Sequence, residues 1–270
     1  MRYSELIRTM ERKEPRAPRE ERPPAVSAWV ERELGFTPDA TQARLLDTGS
    51  KFVLLNCSRQ WGKSTTTAAR AVHEACTVAE SLTLVVSPSA RQSGEFLRKA
   101  EALTRKRGMR LGGDGDNEIS LAFPNGSRVV GLPGNEQTVR GFSAVSLLLM
   151  DEAARVSEEL YLAVRPMLAV SGGAIWLLST PNGKRGFFWE AWEHGGREWE
   201  RVRVAATECP RIPGEFLERE RRTMADRYFR QEYLCEFVQG DDAVFDRELI
   251  ERAFSDEFEP LRLEKAPWEK

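Results

Sequence analysis

The chain reads as an α/β fold: a parallel sheet with flanking helices and a small C-terminal appendage. Three observations predict it. Short apolar runs at 52–56, 82–87, 146–150 and 174–178 have the length of buried strands and alternate with helix-like stretches, the succession that builds crossover units. The first run leads into Gly62-Lys63-Ser64-Thr65 at the start of a helical pattern, and the third ends on two carboxylates, Asp151 and Glu152. In parallel sheets ligands sit beyond the carboxyl ends of the strands, which is where both features fall.

Residues 1–24 are rich in Arg, Glu and Pro. They bury too little apolar surface to offset the entropy of ordering, so a mobile charged arm is expected, either a loose tail or an oligomerisation arm. Helices are expected over 63–79, 92–107, 158–170 and 186–193. Asn125-Gly126 separates strand-like runs at 119–123 and 128–132, the strongest short-range hairpin signal. Beyond residue 207 the pattern changes to a charged amphipathic helix over 213–228, a strand over 233–238 and a helix over 247–254. The chain therefore divides into the arm, a core over 25–207, a small subdomain over 208–256 and a linker-like stretch over 257–270.

Composition excludes several classes. No apolar stretch approaches the ~18 residues needed to span a membrane, and the charged N-terminus does not resemble a secretory signal. Four cysteines without a C-x-x-C pair, with only two histidines, argue against zinc and for a reducing, intracellular setting. With 40 basic and 42 acidic residues the net charge is −2, so nucleic acid could be attracted only by a local basic patch.

The segment Cys57-Ser58-Arg59-Gln60-Trp61-Gly62-Lys63-Ser64-Thr65 follows a strand and opens a helix, the context of a phosphate-binding loop. Backbone N–H groups at a helix N-terminus point at phosphates, and the helix dipole adds to the attraction. Gly62 lets the backbone approach phosphate oxygens, Lys63 would face the β- and γ-phosphates of ATP, and the Ser64 hydroxyl would ligate Mg²⁺. Cys57 stands where the general pattern has its first Gly. Asp151, at a strand tip, suits the Mg²⁺ hydration shell, and Glu152 can orient and deprotonate an attacking water. Together the two elements predict a P-loop NTPase of the ASCE type. Gln42, within Gly35-Phe36-Thr37-Pro38-Asp39-Ala40-Thr41-Gln42, could pair with adenine; Thr37-Pro38 reads equally as the cap and first position of a helix. Ser179 and Thr180 close the next strand, where hydroxyls could sense the γ-phosphate, although Pro181-Asn182-Gly183 also makes a plain turn.

In order and spacing these motifs resemble the large terminase subunits of tailed double-stranded DNA phages. The loop Ser58-Arg59-Gln60-Trp61-Gly62-Lys63-Ser64 looks like that family's deviant P-loop, in which the first Gly is often replaced. Val139-Arg140-Gly141-Phe142 is similar to its R-G element, Ser179-Thr180-Pro181 to its coupling motif, and the stretch from Gly35 to Gln42 to its adenine-binding motif. The resemblance implies an ATPase core followed by a lid, and a motor coupling Mg-ATP hydrolysis to translocation of double-stranded DNA into a procapsid in the host cytoplasm. It also implies a homo-oligomeric ring on the capsid portal, pentameric on the capsid yet monomeric alone, together with a small terminase subunit. Family members carry a C-terminal nuclease domain; this sequence stops at Lys270, where that domain should begin, so no nuclease activity is expected of it.

Arg140 lies between the Gly131–Gly134 segment and Gly141, so it could project as an arginine finger onto a neighbouring subunit's ATP, with Arg59 as a competitor in cis; the plain alternative is a surface arginine. Arg98, Lys99, Arg105, Lys106, Arg107 and Arg110 concentrate positive charge around one helix end, with Arg128 on the hairpin as a weaker candidate. They could track a DNA backbone, or form a solvated face. Two other functions compete. A helicase-like translocase would need a second domain that the residues after 207 do not supply. A nucleotide-gated scaffold would have little need of Glu152.

Overall fold

The structure is a computed structural model that describes residues 24–134 and 141–239. The expected arm, Arg140, the helix over 247–254 and the linker lie outside the described residues. In chain order the elements are α1 (Val26–Leu34), α2 (Ala40–Leu46), β1 (Phe52–Cys57), α3 (Lys63–Thr77), β2 (Leu82–Ser87), α4 (Ala90–Lys106), β3 (Ser120–Ala122), β4 (Arg128–Pro133), β5 (Leu147–Asp151), α5 (Glu158–Val164), β6 (Ala174–Ser179), α6 (Gly186–His194), β7 (Trp199–Val204), α7 (Gly214–Thr223) and α8 (Asp226–Leu234).

The strands form one sheet in the order β3-β4-β2-β5-β6-β1-β7. All pairs are parallel except the β3–β4 hairpin at one edge. Every residue of β2 and β5 is buried, because helices cover both faces and leave no side of these strands for water. Alternation along β1 divides the core. Val53 and Leu55 pack with Val30, Val72 and Phe96 on one face, whereas Leu54 joins Leu160, Phe188 and Leu177 on the other. No helix among the described residues is long and apolar enough to cross a membrane.

Three expectations need correction, and one strand has no counterpart among them. The helix predicted over 158–170 ends at Val164 and tightens into a 3₁₀ turn, Arg165–Leu168, because Pro166 has no N–H to donate and its ring clashes with the preceding turn. The helix predicted over 213–228 is two, α7 and α8, broken at the extended residues Met224 and Ala225. Their buried residues, Leu217 and Phe229, would lie about 120° apart on one straight helix; the break lets each find its own packing surface. No strand forms over 233–238: Tyr233 and Leu234 finish α8, and Cys235 turns the chain in a left-handed conformation (φ 56°). The apolar alternation there serves anchoring, with Cys235 buried and Phe237 packed near Phe188 and Trp192. Finally, β7 was not foreseen. Its Glu200, Arg201 and Arg203 alternate with Trp199, Val202 and Val204, so no apolar run marks this edge strand.

Candidate nucleotide site

The carboxyl ends of β1, β5 and β6 lie side by side, with Asn56 opposite Ser179 and Asp151 opposite Leu178. From this rim the chain loops out of β1 and enters α3 at Lys63. The loop is anchored where the Ser58 N–H donates to the Val204 carbonyl at 2.9 Å. Gln60 (φ 66°) and Gly62 (φ 101°) take left-handed conformations. At Gly62 a Cβ would also come within 3.0 Å of the Gln42 amide nitrogen, so glycine is required on two counts.

Lys63 is buried beneath the loop, its Nζ donating to the carbonyls of Cys57 (2.6 Å) and Ser58 (3.1 Å). An ammonium has three protons, and the third remains for an anion in the cavity. The Ser64 hydroxyl donates to Asp151 Oδ2 at 3.2 Å. Burial raises the Asp151 carboxyl above its ordinary range and the adjacent Glu152 adds to this, while Lys63 opposes it. A hard oxygen pair such as Ser64 and Asp151 suits Mg²⁺, which takes one or two protein oxygens and keeps its remaining positions for water and phosphate.

A cavity of about 650 Å³ opens over the loop, lined by Phe36, Gln42, Ser58, Arg59, Gln60, Gly62, Lys63, Ser64, Thr65, Lys99, Glu152 and Arg211. Ser58 Oγ, on a residue that lines the cavity, is buried without a hydrogen-bond partner, a costly state in a closed core and an ordinary one beside a ligand site. Glu152 follows β5 in a left-handed conformation (φ 55°), an unusual setting for a non-glycine residue that recurs at functional sites.

Several expected residues have other duties here. The Trp61 side chain is packed in the core at 2% exposure and does not line the cavity; its carbonyl accepts from Gln42 (3.1 Å) and from Arg211. Thr37 is not the helix cap. Asp39 is, in a capping box whose other half is Gln42, so Gln42 reaches the cavity with its amide already bonded to Asp39 N and Trp61 O. Cys57 packs into the core and burial pushes its thiol well above the ordinary range, so it replaces the usual glycine as an apolar, unreactive group. Thr180 is buried and accepts from Arg155 at 3.2 Å.

The basic stretch is divided. Lys99 lines the nucleotide cavity. Arg98 pairs with Glu95 and Arg105 with Glu101; Lys106 reaches the Gly35 carbonyl at 3.4 Å. Arg107 lies over the Trp29 ring at 5.2 Å and meets Glu33 at 3.4 Å. Arg128 pairs with Asp114 at 3.3 Å, and Arg110 is exposed. The charge seen in the sequence is thus partly neutralised by Glu101 within the run and by Glu33, Glu95 and Asp114 outside it.

Three site residues escaped sequence reasoning: Arg155, Arg211 and Glu232. Arg155 binds Glu152 at 3.0 Å from three positions away, a helical spacing that could have been read. Arg211 and Glu232 reach the site from α7's approach and from α8, and nothing local marks them.

A sequence model of the family "Terminase large subunit, T4likevirus-type, N-terminal" matches residues 54–252. The large terminase subunit of Thermus phage G20c is 25% identical over 247 residues, covering 78% of this chain and 51% of that protein; the chain thus spans about half the length of that relative. The ATPase domain of the large terminase of Thermus phage P74-26 superposes with a TM-score of 0.68 at 22% identity, over 80% of this chain and all of that one. The bacteriophage HK97 large terminase superposes with a TM-score of 0.65 at 14% identity, over 78% and 54%.

Proposed function

Since the chain belongs to the N-terminal family of large terminase subunits, we propose that it is an ATPase motor domain that drives double-stranded DNA into a viral procapsid. The observation that carries this reading is the joining of Ser64 to Asp151 beneath a loop with a buried Lys63, with Glu152 at the cavity wall. Lys63 would neutralise the β- and γ-phosphates of ATP. Ser64 and Asp151 would hold Mg²⁺, which screens the phosphate charge and orients it for attack. Glu152 would align the water and take its proton, and Ser179 and Thr180 would couple the strand tip to the phosphates. Phe36, Gln42 and Arg211, which also line the cavity, would be the side against which the base lies.

On this reading the partners are double-stranded DNA, further copies of the chain in a pentameric ring on the capsid portal, and a small terminase subunit, with the work done in the host cytoplasm. The region after residue 207 acts as the lid. Arg98, Arg105, Lys106, Arg107, Arg110 and Arg128 supply the DNA-facing charge, and Arg140 supplies the finger to a neighbouring ATP. The test is steady-state hydrolysis by the whole chain, with and without double-stranded DNA. Mg²⁺-dependent turnover, stimulated by DNA, is expected. Tight ATP binding without turnover would support a nucleotide-gated scaffold in its place.

A further inference from the structure

Beside the cavity four charged side chains alternate in sign. The Arg155 guanidinium donates through NH1 to Glu152 Oε2 at 3.0 Å and to Thr180 Oγ1 at 3.2 Å, and through NH2 to Glu232 Oε1 at 3.1 Å. The other oxygen of Glu232 accepts from Arg59 Nε at 2.7 Å. Each oxygen of Glu232 therefore serves a different arginine, and each terminal nitrogen of Arg155 serves a different carboxylate. The Glu152, Arg155 and Glu232 side chains are 22%, 29% and 22% exposed, screened enough that pairing restricts their rotamers. The four residues come from four places: the P-loop, the tip of β5, the 3₁₀ turn Ala153–Arg155, and α8, some eighty positions along the chain.

We propose that Arg155 and Glu232 are positioning residues for the hydrolysis assigned to this site: Arg155 fixes the orientation of the Glu152 carboxylate, and Glu232, carried by α8, fixes Arg155 together with Arg59. The inference rests on the ATPase reading. With Oε2 held by Arg155, the second oxygen of Glu152 is the one presented to water. Arg155 also grips Thr180, so one guanidinium sets the base and the coupling hydroxyl against each other. Glu232 keeps Arg155 from collapsing onto Glu152 by a two-point pair, and keeps Arg59 out over the cavity. Because α8 carries this carboxylate, any shift of α8 against the sheet alters the base, the coupling hydroxyl and the P-loop arginine together. The C-terminal helical pair is thereby geared to the chemical step, without contributing any atom that need touch the reacting phosphate.

The experiment measures kcat and KM for ATP in the whole chain carrying Glu232→Ala, Arg155→Ala or both, alongside Glu232→Gln and Arg155→Lys. Binding of a fluorescent ADP analogue and thermal melting are followed in parallel. The wild-type rate tests the ATPase reading: a chain without turnover overturns that reading and this inference with it. With an active wild type, each alanine variant is expected to lose about ten-fold or more in kcat, the scale seen when an orienting partner is removed, with KM and analogue binding changed by less than about two-fold. The double variant should lose much less than the product of the singles, because both substitutions break one chain. Arg155→Lys should rescue little, since one ammonium cannot span two carboxylates in the guanidinium's planar geometry; Glu232→Gln, which keeps an acceptor, should stay closer to wild type. If an alanine variant unfolds, the conservative pair still reads the split. Wild-type kcat in both alanine variants, or losses that multiply independently, would overturn the proposal, as would a fall in analogue binding that accounts for the whole loss.

Discussion

Two groups of cations surround the cavity, and they are held by different means. Lys63 is buried and fixed by the backbone carbonyls of Cys57 and Ser58, at the start of its own loop; its position follows once β1 and α3 have packed. Arg59, at 62% side-chain exposure, and Arg155 are held by carboxylates of other side chains. A cation fixed by main chain is already in place before a ligand arrives, so its charge stabilises without reorganisation. A cation held by a half-buried carboxylate keeps one rotamer in this state, yet its anchor is a side chain that can turn when a ligand arrives. The cradle is suited to binding, and the arginine–glutamate chain to being changed by what binds.

The sharpest way to break this comparison uses Arg140, the remaining arginine that the family resemblance implicates. If it is a finger from a neighbouring copy, Arg140→Ala should lower turnover by ~10³-fold or more, and mixing it with a Glu152→Ala protein should restore some activity by pairing an intact Glu152 with an intact Arg140. Undiminished turnover in Arg140→Ala would remove it from the mechanism. Within the chain, Glu152→Gln should leave nucleotide binding largely intact while lowering kcat by ~10²-fold. Lys63→Ala should instead weaken binding itself, because it removes the preorganised charge. Equal binding defects in the two variants would erase the distinction between cradle and chain.

The same distinction explains what could be read from the sequence. The cradle was legible because its parts are local or periodic: a strand, a glycine before a helix, Lys63 and Ser64 in fixed spacing, and two carboxylates at a strand tip. The parallel sheet was legible for the same reason, through fully apolar runs such as Leu82–Ser87. The strand Trp199–Val204 was not, because an edge position tolerates Glu200 and Arg203. Glu232 could not be assigned to the site, since its partners Arg59 and Arg155 are 173 and 77 positions away and a glutamate on an amphipathic helix looks like any solvated charge. The basic run on α4 is less free than its charge count suggests, because Glu95 and Glu101 on the same helix pair with Arg98 and Arg105, and the fold brings Glu33 against Arg107.

That neutralisation sharpens the DNA expectation. Replacing Arg105, Lys106 and Arg107 together should weaken double-stranded DNA binding uniformly across sequences, and should lower the slope of log affinity against log salt by less than the ~0.9 per contact expected of three free cations. Turnover without DNA should barely change. A wild-type salt slope in the triple variant would make this helix end a solvated face.

The smallest effect concerns His73, at the far end of the helix that carries Lys63. His73 meets the Trp29 ring edge-on at 4.9 Å and its Nδ1 lies 3.1 Å from the Arg70 guanidinium. That contact requires a neutral imidazole accepting from the arginine. Burial first, and then the Arg70 charge, depress its pKa from 6.5 to about 4; Asp47 opposes this, and Glu74 engages Arg70 at 3.3 Å. A depressed folded-state pKa means that the unfolded chain takes up the proton first as pH falls. The stability contributed by neutral His73 is therefore complete above about pH 6.5 and is lost progressively as pH falls from there toward 4. His73 is only partly buried, so after discounting for solvent screening the loss between pH 7 and 5 should be about 1 kcal/mol. His73→Gln keeps an acceptor for Arg70 but cannot titrate, so its melting temperature should fall less than the wild type's over that interval, with KM for ATP at pH 7 unchanged. Parallel acid sensitivity in the two proteins would show that the packing beneath the cradle does not sense this proton, and a changed KM would show that the cradle depends on the end of its helix as well as on its own carbonyls.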